Sequence, residues 1–268
     1  GRKLRTAPGN DLIQNGMLVH GGPALEEMLL GLFQIFWKLG KIPFQIKLAL
    51  IRLIFKNGDK QVIENWRPIS LISNLLKLYE GVLHARLKTL TTKHNLIRSE
   101  QNGYNPGIGS IDALMALSEI LNYKRVRKEK FILLSYDASK AFQRTDRASL
   151  FATLGQKGVT GRMWKALRSL YKGAPSQVKI GSKRSRMFTL KGGVRQGSTL
   201  ATYLFVSSID DLLKELCDSK AGIEIAGIFF PAICFVDDLL ILTESLEQMK
   251  KLQGIIDTYA HTWKLVMN

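Results

Sequence analysis

The chain has 268 residues, of which 46% are hydrophobic and 23% are charged. That length and balance predict a globular protein with a substantial buried core, and they exclude wholesale disorder. The longest uncharged, mostly apolar run, 226–236, contains a proline and is too short to span a bilayer. Two cysteines and four scattered histidines exclude a disulfide framework and show no zinc-ligand spacing. The sequence therefore predicts no membrane span and a reducing compartment.

The charge distribution is the informative part of the composition. The chain has 39 Lys and Arg residues against 22 Asp and Glu, a net charge of +17, which predicts a polyanionic partner. No acidic residue occurs between Asp146 and Asp210, whereas this stretch contains twelve Lys and Arg residues. A solvated basic surface is the alternative interpretation, but neutralisation of nucleic-acid phosphates explains so unbalanced a run better. The predicted nucleic-acid contacts are Arg162, Lys165, Arg168, Lys172, Lys183, Arg184, Arg186 and Arg195.

Hydrophobic periodicity and turn residues predict a mixed α+β pattern, with short strands that carry acidic residues at their ends and helices packed on one face. After an N-terminal arm, the predicted elements are a helix at 24–39, a strand at 48–55, a long helix opened by 66–70 and running to 90, a helix at 111–124, a strand at 131–136, helices at 147–156 and 161–171, a hairpin of 177–180 with 187–190, a helix at 199–217, a hairpin of 233–236 with 239–242, and a helix at 246–262.

Three acidic residues follow apolar strands directly. Asp137 ends one predicted strand, and Asp237 with Asp238 forms the turn between two others. An Asp-Asp pair in a turn is usually a solvated turn. If these strands are neighbours, however, the three carboxylates meet at one end of a sheet, where they repel one another unless cations lie between them. Hard oxygen ligands suit Mg²⁺, and two Mg²⁺ ions form the arrangement that drives in-line phosphoryl transfer.

Six blocks of the sequence, in family order, resemble those of the reverse transcriptases of non-LTR (LINE-type) retrotransposons, with group II intron enzymes as more distant relatives. Segment 136–142, Tyr-Asp-Ala-Ser-Lys-Ala-Phe, resembles motif A. Segment 192–197, Gly-Gly-Val-Arg-Gln-Gly, resembles motif B, and segment 235–238, Phe-Val-Asp-Asp, resembles motif C. The other three blocks are the fingers motif at 65–72, the Gln-Asn-Gly-Tyr block at 101–104 with the segment 107–112 that follows it, and the entry at 7–11. The resemblance covers nearly the whole chain.

The resemblance implies a fold and an activity. The fold class is α+β, a right-hand polymerase with fingers and palm, in which an antiparallel palm sheet is backed by helices and the thumb is absent. Fingers and fingers–palm helices are expected at 1–130 and the palm at 131–268, with a hairpin at 176–191. The implied activity is RNA-directed DNA polymerisation, in which nucleotidyl transfer from a DNA primer 3′-OH on an RNA template is target-primed.

The resemblance also implies cofactors, partners and a compartment. Two Mg²⁺ ions are the expected cofactors, with Mn²⁺ as a substitute. The expected partners are the RNA template, the DNA primer or target and deoxynucleoside triphosphates, while protein partners stay unidentified. The expected localisation is nuclear with a cytoplasmic ribonucleoprotein phase, and a mitochondrial site stays open.

The matching positions inherit roles from the family. Asp137, Asp237 and the backbone carbonyl of Ala138 are expected to hold the metals, with Asp238 completing the catalytic site. The expected nucleotide-binding residues are Arg67 at the triphosphate, Gln196 and Gly197 lining the pocket, and Phe142 as a steric gate under the sugar, together with Ala138. An apolar ring at Phe142 clashes with a ribose 2′-hydroxyl and leaves it unpaired, which favours DNA synthesis over RNA synthesis.

Several alternatives stay open at this point. In the plainer interpretation of the sequence, Arg67 is a surface arginine at the start of a helix, Gln196 is a polar turn residue and Phe142 is an aromatic residue of the core. The end of the sequence resembles the start of motif D, whose lysine is expected beyond Asn268, and segment 198–202 lacks two prolines usual after motif B. These departures favour a second hypothesis, a retrotransposon-derived domain reused as a non-catalytic RNA-binding or structural subunit. A group II intron maturase is the third.

Overall fold

The computed structural model describes residues 4, 6–93, 98, 100–103, 107–138 and 140–268, and groups of helices and groups of strands follow one another along the chain. The α-helices are α1 (Asn15–Val19), α2 (Gly22–Leu39), α3 (Phe44–Lys47), α4 (Asn74–Lys93), α5 (Ser110–Val126), α6 (Ala141–Arg144), α7 (Arg147–Gln156), α8 (Gly161–Tyr171), α9 (Ala201–Asp218) and α10 (Leu246–Trp263). The strands are β1 (Ala49–Phe55), β2 (Trp66–Leu71), β3 (Ile132–Asp137), β4 (Pro175–Ile180), β5 (Lys183–Arg184), β6 (Phe188–Thr189), β7 (Ile223–Ile225), β8 (Ile228–Phe230), β9 (Ala232–Phe235) and β10 (Asp238–Thr243).

The chain forms two units, each assembled from two segments. The first unit contains Gly1–Leu90 with Leu154–Ala201, and the second contains Thr91–Thr153 with Thr202–Asn268. These units follow the contacts within this chain, whereas fingers and palm are defined by the family. The division of fingers from palm at residue 130 therefore stays a prediction.

The first unit is built around a mixed sheet in the order β2-β1-β4-β5, with β6 also paired to β4. Strand β1 pairs antiparallel with β2 and parallel with β4. Its first three residues, Ala49, Leu50 and Ile51, are buried, as expected for a strand covered by helices. Helix α4 buries one face at i, i+3, i+7 and i+11 spacing through Leu76, Tyr79, Leu83 and Leu87.

Residues 66–71 form a strand, and the predicted helix opening at 66 is therefore wrong. Strand β2 lies at the sheet edge. Pro68 has no N–H to donate, and an edge strand tolerates it because only one of its two sides pairs with another strand. The helix begins eight residues later, at Asn74, because the hydroxyl of Ser73 accepts a hydrogen bond from Leu76 N at 3.2 Å and caps the helix.

The second unit contains the antiparallel sheet β3-β10-β9 and the β7-β8 hairpin. A small apolar core of Ile120 from α5, Ile223 from β7 and Leu242 from β10 joins these elements. Helix α10 packs on β10, and α5 packs on β9. The predicted antiparallel sheet backed by helices is thus confirmed, as are the predicted helices 147–156 and 161–171 with their bounds. In the described residues, no helix is both long enough and apolar enough to cross a membrane.

Candidate active site

The register of β3 and β10 places two of the predicted carboxylates side by side. Asp238 is the Cα partner of Asp137, and the pairing continues through Leu239 with Tyr136 to Thr243 with Ile132. Directly opposed residues of antiparallel strands project from the same face of a sheet. Both aspartates are exposed, whereas their neighbours Tyr136 and Leu239 on the other face are buried. The alternation of strand side chains therefore presents the two acids to solvent at one end of the sheet.

Asp237 lies in the two-residue turn that joins β9 to β10. Asp238 pairs with Phe235, so only Val236 and Asp237 stand between the strands. Val236 has φ +58°, in the left-handed region that a β-branched residue rarely adopts. Such a conformation costs roughly 1–2 kcal/mol, so the surrounding contacts must hold it. The left-handed backbone of Val236 therefore sets the direction in which the chain continues into Asp237.

The backbone of Asp137 is held on its other side by the end of the described chain. Asp137 N donates to Asn268 O at 3.2 Å, and Asn268 N donates to Asp137 O at 2.9 Å. Ala138 and Met267 form the next antiparallel bridge. The strand end that carries Asp137 is therefore hydrogen-bonded to β10 on one edge and to residues 267–268 on the other.

The donor set at this sheet end fits a divalent cation of the magnesium type. Asp137 and Asp238 repel one another when both are ionised, and a cation between them relieves that repulsion. Within the described ranges, no three His, Cys, Asp or Glu side chains converge into a ready metal cage. Mg²⁺ is commonly bound by one or two carboxylates, with water and substrate phosphates completing its octahedral shell. Two opposed carboxylates, a third in the adjoining turn and the carbonyl of Ala138 fit that mode of binding.

Phe142 lies on α6 in the same unit as the carboxylates. Its ring stacks on that of Phe205 from α9, with the centroids 5.2 Å apart and an interplanar angle of 27°. Phe205 is fully buried, whereas Phe142 is half-buried, so part of its ring stays accessible. A rigid backing ring and a partly open face are what a steric gate needs. Ser139, part of the predicted motif A, and Tyr104, part of the 101–104 block, lie outside the described residues.

The predicted nucleotide-binding loop lies in the first unit, where it is hydrogen-bonded to β2. Ser70 N donates to Gln196 O at 2.9 Å. Gly197 has φ +111°, and a Cβ at that position would lie 2.6 Å from Ser70 O, so only glycine allows this approach. The side-chain oxygen of Gln196 is buried and has no hydrogen-bond partner in the described part of the chain. Three residues before Ser70, Arg67 is exposed on β2, in mid-strand rather than at a helix start.

A buried carboxylate on α4 fixes the far side of the same loop. Glu80 is 1% exposed, and its Oε2 accepts hydrogen bonds from Ser198 Oγ and Thr199 N, both at 2.9 Å. Burial raises the pKa of Glu80. The hydrogen bonds from Ser198 and Thr199, and the positive charge of the nearby Arg195, oppose that rise. The loop 196–199 is thus held between the end of β2 and the middle of α4. Sequence analysis missed Glu80, because a single acid in an amphipathic helix gives no signal of burial.

Arg195 is not a surface residue, and its predicted contact with nucleic acid is wrong. It is 3% exposed, and burial lowers its pKa while Tyr171 and Glu80 oppose that shift. The nitrogens Nη1 and Nη2 have no hydrogen-bond partner in the described residues. Its position in motif B places it between buried elements, which a count of charges along the sequence cannot reveal.

The other seven predicted cations are all exposed. Arg162, Lys165 and Arg168 lie on α8 at three-residue spacing, and Lys172 follows directly after the helix. Residues at this spacing share one face of a helix, and the four span about 15 Å at 1.5 Å per residue. The guanidinium of Arg168 lies 4.9 Å from the ring centroid of Trp164. We call these four residues the α8 basic face. Lys183, Arg184 and Arg186 lie on the exposed hairpin of the mixed sheet.

The structure thus groups the predicted site residues into two sets, one in each unit. The carboxylates, Ala138 and Phe142 belong to the second unit, and Arg67 with the 196–197 loop belongs to the first. An antiparallel three-stranded sheet with two opposed acids at its strand ends and a third in the adjoining turn, backed by helices, defines the palm of a nucleic-acid polymerase. Residues 54–268 match the family described as reverse transcriptase (RNA-dependent DNA polymerase). The chain belongs to the reverse transcriptase family, whose members use divalent metal ions.

Relatives with similar sequences are proteins of non-LTR retrotransposons. The transposon TX1 uncharacterized 149 kDa protein of Xenopus laevis is 26% identical over 89% of this chain and 19% of its own length. The Pol polyprotein of the type-2 retrotransposable element R2DM of Drosophila melanogaster is 28% identical over 90% of this chain and 22% of its own. The RNA-directed DNA polymerase of the mobile element jockey of Drosophila funebris is 24% identical over 99% and 29%. The chain therefore spans less than a third of the length of these relatives.

Solved structures share the fold. Telomerase from Candida albicans superposes with a TM-score of 0.59 at 16% identity, covering 91% of this chain and 46% of that one. Apo telomerase from Candida tropicalis gives a TM-score of 0.58 at 15% identity, covering 91% and 48%. At this identity the likeness concerns the fold alone, and it confirms the predicted right-hand polymerase class.

Proposed function

We propose that this chain is the catalytic core of a non-LTR retrotransposon reverse transcriptase, which extends a DNA primer 3′-OH on an RNA template with deoxynucleoside triphosphates. The observation that carries the proposal is the register that sets Asp137 opposite Asp238 with Asp237 in the adjoining turn. Paired carboxylates at one sheet end are the ligands that in-line phosphoryl transfer requires. Target priming and a nuclear site of action are parts of the same proposal, and they follow only from the resemblance to non-LTR retrotransposon enzymes.

In this proposal the three carboxylates and Ala138 O hold two Mg²⁺ ions, which, when bound, neutralise the charge that develops on the transferred phosphoryl group. The chain itself supplies position. Hydrogen bonds to β10 and Asn268 fix the backbone of Asp137, and the 235–238 turn fixes Asp237. Such preorganised charge is the main source of rate in reactions without covalent intermediates.

Each of the remaining site residues has a separate task. Arg67, exposed on β2, presents a planar fork of donors suited to phosphate oxygens. Gln196, half-buried in the 196–199 loop, lines the pocket for the incoming nucleotide. Phe142 excludes the ribose 2′-hydroxyl. The exposed cations of α8 and of the 183–186 hairpin bind the phosphates of the RNA.

Primer extension on an RNA template tests the proposal. The intact protein that carries this chain is supplied with Mg²⁺ and either dNTPs or NTPs, and it is compared with Asp237→Ala and with Asp218→Asn. Asp218 is an exposed carboxylate at the end of α9 and is not among the predicted site residues. We expect dNTP-selective extension that Asp237→Ala lowers at least about 10³-fold, the effect of losing several kcal/mol of metal-borne stabilisation.

The outcomes separate the proposal from its alternative. Extension that depends on Asp237 but not on Asp218 supports a polymerase. Full activity in Asp237→Ala contradicts the assigned mechanism. An intact protein that binds RNA but extends no primer favours the reuse of the fold as a non-catalytic RNA-binding subunit.

A further inference from the structure

The segment 100–103 lies along the outer edge of the strand that leads into the 235–238 turn. Gln101 forms a parallel bridge with Cys234, and Asn102 N donates to Cys234 O at 2.9 Å. The sheet order β3-β10-β9 leaves this edge of β9 open to such an addition. Gln101 and Asn102, from a distant part of the sequence, therefore run beside the chain just before Asp237.

The side chain of Gln101 reaches the backbone of the turn itself. Gln101 is 0% exposed. Its Oε1 accepts hydrogen bonds from Val236 N at 2.9 Å and from Gly103 N at 3.1 Å. Its Nε2 donates to Cys234 Sγ at 3.1 Å and lies 3.4 Å from Val236 O. One buried amide thus engages both the N–H and the carbonyl of a single turn residue, as a neighbouring strand does in a ladder.

Gly103 brings the same segment against the same residue. A Cβ at position 103 would lie 2.5 Å from Val236 Cγ2 and 2.7 Å from Val236 N. Only glycine allows the chain to approach so closely. Two residues of one short segment, Gln101 through hydrogen bonds and Gly103 through close contact, therefore converge on Val236.

Val236 is the residue that needs such support. Its φ of +58° is unfavourable for a β-branched side chain, and Asp237 follows it immediately. Without external hydrogen bonds, Val236 relaxes toward an extended conformation, and the direction of the chain at Asp237 changes. A buried polar group whose donor and acceptor are both satisfied by one backbone position specifies that position.

We infer that Gln101 is a positioning residue of the polymerase reaction: its buried amide clamps the backbone of Val236 and thereby sets the place of the Asp237 carboxylate. The inference rests on the proposed function for its catalytic part, whereas the clamp itself is independent of activity. Gln101 touches neither substrate nor metal in this role and acts through the turn.

The first measurement is the hydrogen exchange of the Val236 amide in the protein without metal or nucleotide. Gln101→Met keeps the length of the side chain and removes its hydrogen bonds. We expect exchange at Val236 to become at least about tenfold faster, the loss of one buried hydrogen bond, while the β3 and β10 amides keep their protection. Thr243→Val is the matched control, since Thr243 is 0% exposed on β10 and its hydroxyl has no partner in the described residues. Should Gln101→Met fail to fold, Gln101→Asn withdraws the amide by one methylene and serves in the same measurement.

The second measurement is primer extension by the intact protein. A small displacement of Asp237 costs about 10- to 100-fold in kcat, because reacting groups must be held in precise register. We expect this loss in Gln101→Met with the KM for dNTP within about threefold of wild type, since Gln101 belongs to the second unit and the 196–197 loop to the first. Gly103→Ala is expected to show the same split, and Thr243→Val is expected to match wild type.

The results distinguish this inference from the function on which it rests. Unchanged exchange at Val236 in both Gln101 variants overturns the clamp. Faster exchange with unchanged kcat overturns the positioning role. A wild-type protein that extends no primer overturns the proposed function instead, and the exchange result then decides the clamp alone.

Discussion

At the scale of single residues, we propose that Phe142 selects the sugar of the incoming nucleotide. Its ring is backed by the buried ring of Phe205 and is half exposed. We expect Phe142→Val to remove the bulk under the sugar and reduce the preference for dNTP over NTP by on the order of 10², the discrimination that shape against one hydroxyl supplies.

Phe142→Tyr is the matched variant, because it keeps the ring and should keep the preference. The measurement is kcat/KM for dNTP and for NTP on the same RNA template. If valine and tyrosine give equal discrimination, Phe142 is only a core aromatic. Thermal unfolding of both variants shows whether the stacking on Phe205 also carries stability.

Individual residues differ in how well their sequence surroundings predict them. The sequence placed Asp137 and Asp238 at one end of a sheet on the condition that their strands are neighbours, and the register of β3 and β10 meets that condition. The predicted turn is wrong by one residue, since Val236 and Asp237 form it and Asp238 is the first residue of β10. The roles of Glu80, Gln101 and Arg195 were not predictable, because burial depends on which distant segment covers a side chain. Gln101 lay within a recognised block, yet its bonds to Val236 form across 135 residues of sequence. Such pairings become visible only when the chain is folded.

At the scale of secondary-structure elements, Glu80 joins α4 to the loop that precedes α9. Glu80→Ala leaves the Thr199 N–H and the Ser198 hydroxyl without their acceptor and removes the counter-charge near the buried Arg195. We expect this variant to lower the free energy of unfolding by roughly 3 kcal/mol or more, as expected when one member of a buried polar cluster is removed.

Urea denaturation measures the effect of Glu80→Ala, and Glu27→Ala is its control, since Glu27 is an exposed carboxylate on α2. Changes at such surface positions stay within about 0.5 kcal/mol. Equal losses in the two variants would show that Glu80 does not anchor the loop.

The start of α7 supplies a prediction for pH. Asp146 precedes the helix, and its carboxylate accepts hydrogen bonds from Ser149 N at 2.8 Å and Ser149 Oγ at 2.7 Å. These bonds hold the pKa of Asp146 below its usual value. Because the pKa is lower in the folded state, the stabilisation is present above the unfolded pKa and is lost as the pH falls through the folded pKa.

Asp146→Asn keeps a capping oxygen and removes the charge. We expect the variant to be less stable than wild type by about 0.5–1 kcal/mol at pH 7, where the ionised carboxylate also interacts with the helix dipole. The difference should close as the pH falls through the folded pKa of Asp146, which lies below its usual value. Urea denaturation at pH 7 and at a series of acidic pH values measures it, and a difference that stays constant over the whole series would contradict the charge as its cause.

Elements were predictable where local signals agreed, and β2 shows where they did not. Trp66, Ile69 and Leu71 favour a strand, while the apolar spacing that continues into α4 suggested one long helix. The capping hydroxyl of Ser73 marks the true helix start and is the signal that could have separated them. The parallel pairing of β1 with β4 had no sequence signal, because the two strands lie far apart in the chain and pair through tertiary packing.

At the scale of the whole molecule, the excess of positive charge is distributed unevenly. The acid-free stretch 147–209 supplies the exposed cations of α8 and of the 183–186 hairpin, whereas Arg195 within it is buried. The net charge of +17 accelerates encounter with any polyanion, but it does not by itself say where the polyanion binds. Position on the fold makes the α8 basic face the candidate, since three of its cations share one side of α8 and Lys172 follows directly after the helix.

Salt dependence separates a defined contact from bulk charge. Each phosphate neutralised on a single strand contributes about 0.7 to the slope of log K against log salt, so four give about 3. We expect replacement of Arg162, Lys165, Arg168 and Lys172 by Gln to reduce the slope for RNA binding by about that amount. The matched control replaces four exposed lysines of the second unit, Lys128, Lys130, Lys220 and Lys250, by Gln and removes the same total charge.

RNA binding at several salt concentrations, for the intact protein and both variants, gives the slopes directly. If the slope of log K against log salt falls only in the α8 variant, RNA phosphates contact the α8 basic face, because only close contact releases condensed counterions. Equal losses in the two variants would mean that the RNA responds to net charge alone, and the α8 basic face would then be a solvated surface. Since both variants carry the same net charge, any difference between them is caused by position.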